Sequence, residues 1–432
     1  MSNVNRAIPP TIHPVEPFAL PTPRRENLGN GAPIFFFDNP SLDLIHILLQ
    51  IHTGSLRQPK KHVCNFAYTL LRESHPTLSP EETSEKIDYY GTNVSVNVGM
   101  DCVQIMISVP KKNIPDILPI IADFLINPLY RTDNLRIMQD KEIKNLAYNI
   151  QKNDYCSWRI MWREMLGDFF PAVSEYSTPE TLNAVTLSQL QEFHRRSFCA
   201  ENLSVFVTGN MDTNTEAQIR NTWSAVPHGE QTPELPLIIL PENRERIFHQ
   251  PMPDSLQTSI ILCNLSIGYN DPDRTGFSVL NTLTGGYFSS RLMQNLRERQ
   301  GLTYGVVSSN TFFGNQSVFA ISSDVNADRT KEAIDACFEE LQRLQDELVS
   351  DDELQMVKNY MAGQQLRSAD TSVNAMQKFA YWHRFGLDET EMFRYLTDIK
   401  NITAEEIQNL AKTHFEYNNF TQITVGNYLS KK

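Results

Sequence analysis

The sequence predicts an α+β protein built from two homologous domains, each an antiparallel-rich sheet packed with helices, joined by a linker. Three observations support this prediction. The chain has 432 residues, which exceeds the usual size of a single domain. An internal repeat relates its two halves. A Pro-rich segment, PHGEQTPELPLIILP at 227–241, lies between them and has the composition of a linker.

The repeat is an ungapped alignment of residues 186–210 with residues 403–427, a shift of 217. Identical residues coincide at Thr186 and Thr403, Gln191 and Gln408, Phe198 and Phe415, Asn202 and Asn419, and at the pairs Gly209-Asn210 and Gly426-Asn427. Apolar positions coincide as well, which indicates a duplicated structural unit. We therefore predict an arm at 1–25, a first domain at 26–226, a linker at 227–244 and a second domain at 245–432.

The elements of each domain follow from apolar patterning and helix start signals. Strands are predicted from short β-rich apolar runs, at 33–38, 43–53, 93–99, 102–109, 203–208, 257–264, 303–309 and 317–324. Helices are predicted from apolar periodicity and capping residues, at about 63–73, 79–91, 113–126, 131–153, 155–169, 186–198, 271–284, 328–346 and 350–388. The clearest start signal is Ser79-Pro80-Glu81-Glu82, an N-cap followed by Pro and a capping-box Glu.

Composition narrows the function classes. The net charge of −13 argues against a nucleic-acid partner or an anionic membrane surface, because both favour basic patches. No apolar run approaches the ~20 residues of a membrane helix. The Pro-rich first residues lack the apolar region of a secretory signal, so we expect an extended arm and a cytoplasmic protein. The six Cys are scattered without a CxxC, which favours reduced, buried thiols.

The stretch with the most specific pattern is GGYFSSRLMQNLRERQGLTY at 285–304. Its Gly pair permits close backbone approach, and a helix follows with Leu and Met on one side. Gly301 is placed to end that helix as a C-cap glycine, and a strand opens directly after it. Arg297 near the helix end and Tyr304 at the strand start can therefore face one point in space.

This stretch resembles the C-terminal domain of the pitrilysin/insulinase-type zinc peptidases, which include the mitochondrial processing peptidase subunits and related bacterial heterodimers. The shared pattern is Gly-Gly, then Ser-Arg-Leu, Leu-Arg-Glu and Gly-Leu-x-Tyr. The resemblance implies that the chain forms half of a clamshell, and that Arg297 and Tyr304 hold the substrate backbone and the oxyanion. It also implies that an edge strand at Val94, Ser95, Val96 and Asn97 captures peptide.

The zinc motif of that family, His-x-x-Glu-His, is missing from this chain. The motif should lie on the first helix of the first domain, where its ligand and base positions fall on Asn65, Tyr68 and Thr69. None of these is a good zinc ligand or a carboxylate base. The ten His residues include no pair four apart, and the later helix that would carry a third ligand offers Glu142. We therefore expect no metal bound by this chain.

The singled-out residues also have plainer interpretations. The plainer interpretation of Arg297 is a solvated, ion-paired position on a helix surface, and that of Tyr304 is a core position on a strand. The segment Val94–Asn97 has the pattern of an ordinary edge strand, since strand addition requires only free backbone groups. Tyr68 is explained by filling the volume that a zinc site would occupy.

The sequence as a whole favours a non-catalytic subunit of a heterodimeric zinc endopeptidase. A homologous partner would supply zinc and the Glu base through its His-x-x-Glu-His helix, while this chain contributes Arg297 and Tyr304 to binding a peptide substrate. Without that partner the chain is expected to be inactive. The alternative is a structural or peptide-binding pseudopeptidase that makes no catalytic contribution. A self-sufficient peptidase is disfavoured because its ligands are missing.

Overall fold

Two β-sheets organise residues 15–428, the part of the chain described by this computed structural model. The strands of the first sheet are β1 (Arg24–Asn27), β2 (Pro33–Asp38), β3 (Leu44–Ile51), β4 (Asn93–Val98), β5 (Val103–Pro110) and β6 (Leu203–Gly209). The strands of the second sheet are β7 (Ile247–Pro251), β8 (Gln257–Ser266), β9 (Thr303–Phe313), β10 (Gln316–Asn326) and β11 (Thr421–Gly426). Every second residue of β5 is buried, because successive side chains of a strand point to opposite faces.

Apart from β1, an additional strand at the edge of the first sheet, the two sheets share one strand order. The first runs β1-β2-β6-β3-β5-β4 and the second β7-β11-β8-β10-β9. In each sheet one strand pair is parallel, β2 with β6 and β7 with β11, and the other pairs are antiparallel. Among the described strands β4 pairs with β5 alone and β9 with β10 alone, so both lie at the same edge position. The predicted fold class, two similar α+β domains with antiparallel-rich sheets, is confirmed.

Fifteen α-helices pack around these sheets within residues 15–428. They are α1 (Val63–Thr69), α2 (Pro80–Tyr89), α3 (Ile114–Ile126), α4 (Thr132–Asn149), α5 (Asn153–Leu166), α6 (Pro171–Ser174), α7 (Pro179–Asn183), α8 (Leu187–Ser197), α9 (Thr213–Ser224), α10 (Arg274–Asn281), α11 (Thr330–Asp346), α12 (Asp351–Arg367), α13 (Ser372–His383), α14 (Glu391–Asn401) and α15 (Ala404–His414). The connection between α10 and β9 contains two π-helical segments, Thr282–Gly286 and Met293–Arg299.

The sequence repeat corresponds to a structural repeat. Helices α8 and α15 both begin with a capping box, in which Thr186 and Thr403 accept a hydrogen bond from the backbone three residues on. Their bounds, 187–197 and 404–414, differ by the same shift of 217. The strands that follow end at Gly209 and Gly426, both with φ in the left-handed half of the map, +142° and +151°. A Cβ there would lie 2.6 Å from Ile45 Cδ1 or from Gln257 O, so glycine is required.

Some sequence predictions are wrong in detail. The helix predicted at 350–388 is two helices, because Thr371 accepts a hydrogen bond from Asn374 N and starts α13 separately. Strands β1 and β7 and helices α9 and α14 were not predicted. Strand β1 has the sequence RREN, which lacks the apolar residues from which strands were predicted. It nevertheless pairs with β2 along its whole length.

One helix from each half packs on the sheet of the other half. Helix α5 covers the second sheet, where Ile160 and Met161 join Ile261 and Ile423 in one buried cluster. Helix α13 covers the first sheet, where the ring centroid of Phe379 lies 5.2 Å from that of Phe35. The last residues of α5 and α13, 166 and 383, again differ by 217. The duplication therefore includes a reciprocal exchange of helices that joins the two halves.

A buried polar contact accompanies this exchange. The Asp101 carboxylate, in the β4–β5 turn, lies 3.3 Å from the guanidinium of Arg384, which follows α13. It also accepts a hydrogen bond of 2.8 Å from the backbone N–H of Gly314, in the β9–β10 turn. Both charged side chains are largely buried, 8% and 16% exposed. This contact ties the hairpin turns of the two sheets together.

The predicted arm at 1–25 is partly packed. Residues 1–14 lie outside the described range. Leu20 is buried against the first sheet and α13, and β1 begins at Arg24, so the expectation of an unpacked arm is wrong for this part. Residues 225–246, which include the predicted linker, contain no helix or strand; the domain boundaries stay a prediction.

All six Cys are free and buried, as predicted. Between residues 15 and 428 no helix is long and apolar enough to cross a membrane.

Candidate functional site

The Arg297–Tyr304 pair lies where the π-helix Met293–Arg299 turns into the edge strand β9. Gly301 adopts φ +61°, a conformation that glycine reaches without a Cβ penalty. This reversal is held by a hydrogen bond of 2.7 Å from Leu302 N to Leu296 O. It brings the Arg297 Cζ atom to 5.0 Å from the Tyr304 ring centroid. The structure therefore brings the two residues together, as the sequence predicted.

Arg297 is enclosed between two aromatic rings. Its Cζ atom lies 4.8 Å from the ring centroid of Phe288 and 5.0 Å from that of Tyr304. Stacking occupies the faces of a guanidinium and leaves the N–H groups at its edge free to donate hydrogen bonds. No carboxylate in the described part of the chain lies within ion-pair distance of Arg297. Its donors are therefore available to a ligand.

Both rings project into solvent. Tyr304 is 88% exposed and Phe288 is 63% exposed, although aromatic side chains usually bury most of their surface. The interpretation of Tyr304 as a core residue is therefore wrong, while for Arg297 the expected carboxylate partner is missing among the described residues. Phe288 was missed by the sequence analysis. Two consecutive aromatic residues after the Gly pair, of which Phe288 is the second, were the signal that could have indicated it.

Two contacts hold the loop that carries these groups. Arg291 makes two hydrogen bonds of 2.9 Å to the Glu353 carboxylate, which anchor the loop to α12. Gly285 packs against β9 so closely that a Cβ would lie 2.7 Å from Ser308 N. The predicted close backbone approach at the Gly pair is therefore present at Gly285.

The predicted peptide-capturing segment lies on the corresponding edge of the first sheet. Strand β4 begins after Gly91, whose φ of +59° matches that of Gly301. The third residue after each glycine is Val94 in β4 and Tyr304 in β9. Ser95 and Asn97 are exposed, while Val94 and Val96 point toward the core. The two edges are thus built alike, but the position that Tyr304 occupies in β9 is occupied in β4 by Val94, which is buried.

The degenerate zinc motif does not form a site on one surface. Asn65 and Thr69 are exposed on α1, whereas Tyr68 is fully buried. The Tyr68 hydroxyl lies 2.7 Å from Ser197 Oγ on α8. Burial raises the pKa of Tyr68 well above its usual value, so this phenol cannot serve as a base. The side chain packs in the core of the first domain, as the space-filling interpretation predicted.

The later helix gives no ligand set either. Glu142 lies on α4 and accepts a hydrogen bond of 3.3 Å from Asn145 Nδ2. Within residues 15–428 no group of three or more His, Cys, Asp or Glu side chains is placed to hold a metal ion. The donors at the motif positions, an amide, a phenol and a hydroxyl, do not fit the His and carboxylate chemistry of a zinc peptidase site.

Several known proteins are similar to this chain. Residues 184–361 match the family model of the peptidase M16 inactive domain. A protein of Mycobacterium tuberculosis named as an uncharacterized zinc protease is 21% identical over 436 residues, covering 98% of this chain and 97% of its own. The probable inactive metalloprotease YmfF of Bacillus subtilis is 24% identical, covering 79% of this chain and 83% of its own.

Solved structures share the fold. The peptidase M16 inactive domain from Pseudomonas fluorescens superimposes with a TM-score of 0.87 at 20% identity, over 95% of this chain and 99% of that one. The periplasmic protease PqqL of Escherichia coli gives a TM-score of 0.76 at 18% identity, over 96% of this chain and 50% of that one. The chain therefore shares the two-domain fold of these M16 peptidase-like structures. More particularly, residues 184–361 match the peptidase M16 inactive domain, and the chain is similar over most of its length to proteins named as zinc proteases.

Proposed function

We propose that this chain is a non-catalytic subunit of a two-subunit zinc endopeptidase and that it contributes Arg297 and Tyr304 to substrate binding. The observation that carries the proposal is the exposed pair itself. Arg297 has no ion-pair partner among the described residues, and Tyr304 is 88% exposed at a sheet edge. Folding alone does not require either arrangement, because exposed aromatic side chains add little to stability.

The chemistry of the pair suits a peptide bond under attack. A guanidinium edge donates hydrogen bonds to backbone carbonyl oxygens, and a phenol hydroxyl donates to the oxygen that becomes negative in the tetrahedral intermediate. Zinc, which we expect in the partner, would activate the attacking water and polarise the carbonyl. This chain would orient the peptide and stabilise the developing charge.

The comparisons support a partner of similar size. This chain aligns with half of PqqL, so a protease of this fold has room for a second unit of the same length. The partner we propose is a homologous chain that carries His-x-x-Glu-His. We place the complex in the cytoplasm; because PqqL is a periplasmic protease, cell fractionation with detection of this chain tests that part of the proposal.

The test uses the complex purified through this chain from its native cells, with zinc assayed in each subunit and cleavage measured on quenched peptides. We expect Arg297→Ala and Tyr304→Phe to leave assembly intact and to lower kcat by about tenfold or more. Arg299→Ala is the matched control, since Arg299 is an exposed arginine on the same helix and should leave turnover unchanged. Full turnover in both Arg297→Ala and Tyr304→Phe refutes the proposal.

A second candidate function is a peptide-binding or structural pseudopeptidase. The free edges of β4 and β9 favour it, because an extended peptide can add to an exposed strand through backbone hydrogen bonds alone. In that case Val94–Asn97 would bind peptide while Arg297 and Tyr304 played no part in turnover. The discriminating result is peptide binding by the isolated chain together with partner activity that does not depend on it.

A further inference from the structure

Strand β9 carries an irregularity at Tyr304. Pairing between β9 and β10 is regular up to Val306 and Ser323, and it resumes at Thr303 and Val325. Two residues of β9, Tyr304 and Gly305, therefore stand opposite one residue of β10, which is the definition of a β-bulge. A bulge leaves backbone groups without ladder partners and turns a side chain in a new direction.

Two hydroxyl groups take the place of the missing ladder bonds. Thr303 Oγ1 accepts a hydrogen bond of 3.1 Å from Gly305 N and donates one of 2.7 Å to Asp324 O. Ser323 Oγ, on β10, donates to Gly305 O over 2.9 Å and lies 2.9 Å from Thr303 Oγ1. The Gly305 N–H, the Gly305 carbonyl and the Asp324 carbonyl are thus all satisfied by side chains.

The bulge has no steric cause at its glycine. Gly305 lies outside the left-handed region, and a Cβ there would meet nothing within 4 Å. Its geometry is therefore held by the hydroxyls of Thr303 and Ser323, because without them three backbone groups would lack partners. Tyr304 lies between Thr303 and Gly305, the two residues of β9 that take part in these hydrogen bonds. The bulge directs its side chain toward Arg297.

We infer that Thr303 and Ser323 are positioning residues that fix the direction of Tyr304 through the bulge. This inference rests on the proposed function, since it assigns the bulge a role in orienting the phenol toward substrate. A displacement of about 1 Å in such a group can cost up to about a hundredfold in rate. The positioning role depends on the hydroxyl group. Serine at position 303 should therefore preserve the role, whereas valine, which has the same shape as threonine, should not.

The first measurement needs no partner. Hydrogen exchange of the backbone amide of Gly305 is followed by mass spectrometry or NMR in the isolated full-length chain. We expect Thr303→Val to speed this exchange by about tenfold or more and Thr303→Ser to leave it near the wild-type rate. Thr311→Val is the matched control, a threonine on the same strand whose hydroxyl makes no side-chain hydrogen bond within the described residues. Unchanged exchange in Thr303→Val overturns the inference.

The second measurement uses the active complex described above. We expect Thr303→Val and Ser323→Ala each to lower kcat by about fivefold or more with KM within twofold, and Thr303→Ser to restore it. Combined with Tyr304→Phe, Thr303→Val should add less than a twofold loss, because both changes remove the same interaction. If Tyr304→Phe slows the complex but Thr303→Val does not, the inference fails and the proposed function stands. If Tyr304→Phe has no effect, the assignment of Tyr304 to substrate binding fails and the positioning role fails with it, while the proposed function as a whole is refuted only if Arg297→Ala has no effect either.

Discussion

Replacing Tyr68 by Glu would place the family's catalytic base at its aligned position, and the structure predicts that it would destabilise the protein instead. Tyr68 is fully buried in the core of the first domain. Its hydroxyl contacts Ser197 Oγ, and its ring packs against Phe193, with centroids 6.4 Å apart. A carboxylate at this position would face α8 and the core, whereas Asn65 and Thr69 face solvent.

Three terms set the expected size of the effect. Loss of the Tyr68 hydroxyl alone, in Tyr68→Phe, should cost about 1 kcal/mol, because Ser197 Oγ keeps its bond of 2.7 Å to Phe193 O. Loss of a buried aromatic ring costs about 3–5 kcal/mol. A buried Glu stays neutral only by raising its pKa, at about 1.4 kcal/mol for each unit. Tyr68→Glu should therefore remove most of a typical domain stability of about 5–15 kcal/mol.

The charge term has a definite pH dependence. The folded-state pKa of Glu at position 68 would lie above its unfolded value of about 4.3. The folded protein then binds more protons than the unfolded chain, so stability falls as pH rises from about 4.3 toward the folded pKa. Between pH 5 and pH 7 this amounts to about 2–3 kcal/mol of additional destabilisation.

The assay is urea denaturation followed by far-UV circular dichroism at pH 5 and pH 7, with zinc measured in parallel. Asn65→His combined with Thr69→His is the matched control, since both positions are exposed and such changes usually stay within about 0.5 kcal/mol. The reasoning is refuted if the triple variant with Tyr68→Glu is as stable as wild type at pH 7 and binds one zinc ion.

Two further predictions concern stability. Burial lowers the pKa of His194 to about 4, while the unfolded value is about 6.5, so the free energy of unfolding should fall by about 3 kcal/mol as pH drops from 6.5 to 4. His194→Gln should flatten this part of the plot of urea midpoint against pH. An unchanged slope in the variant would contradict the prediction. Asp101→Asn should leave the largely buried Arg384 unpaired, cost about 3 kcal/mol and speed protease cleavage at 227–244. The exposed Asp116→Asn is its control, and equal cleavage rates in the two variants would disprove the role of the ion pair.

The parts of the fold that the sequence predicted are those with local causes. Ser79 caps α2 through its own side chain and that of Glu82, and both residues lie within four positions. Gly301 reverses the chain because only its own φ is involved. The repeat could be found because Thr186 and Thr403 perform the same local capping task in each half.

The exchange of α5 and α13 could not be predicted in this way. Whether Phe379 packs on its own sheet or on the other is decided by its contacts with Phe35 and Phe206, which lie more than 170 positions away in the sequence. An amphipathic helix pattern states that a face is buried but not what covers it. For the same reason the sequence placed α5 in the first domain, although its apolar face covers the second sheet.

The same distinction between local causes and long-range contacts applies to the candidate site. The sequence placed Arg297 and Tyr304 together because a helix, a glycine and a strand start join them directly. It could not show that Phe288 completes the stack, since that contact depends on how the loop folds back over the helix. The bulge was also invisible, because it is defined by a partner residue, Asp324, on the next strand.

The two parts of the proposed site differ in how deeply they are buried in the protein. Tyr68, at the position aligned with the Glu of the zinc motif, is fully buried and hydrogen-bonded. Its contribution to the packing of the core is sufficient to account for this residue. Tyr304 and Phe288 remain exposed around an arginine without an ion-pair partner in the described chain, and exposed aromatic surface is a solubility liability unless something binds it. Tyr304→Phe and Phe288→Ala should therefore leave the urea midpoint unchanged, in contrast to Tyr68→Phe. That difference would separate a residue kept for packing from residues kept for contact with a ligand.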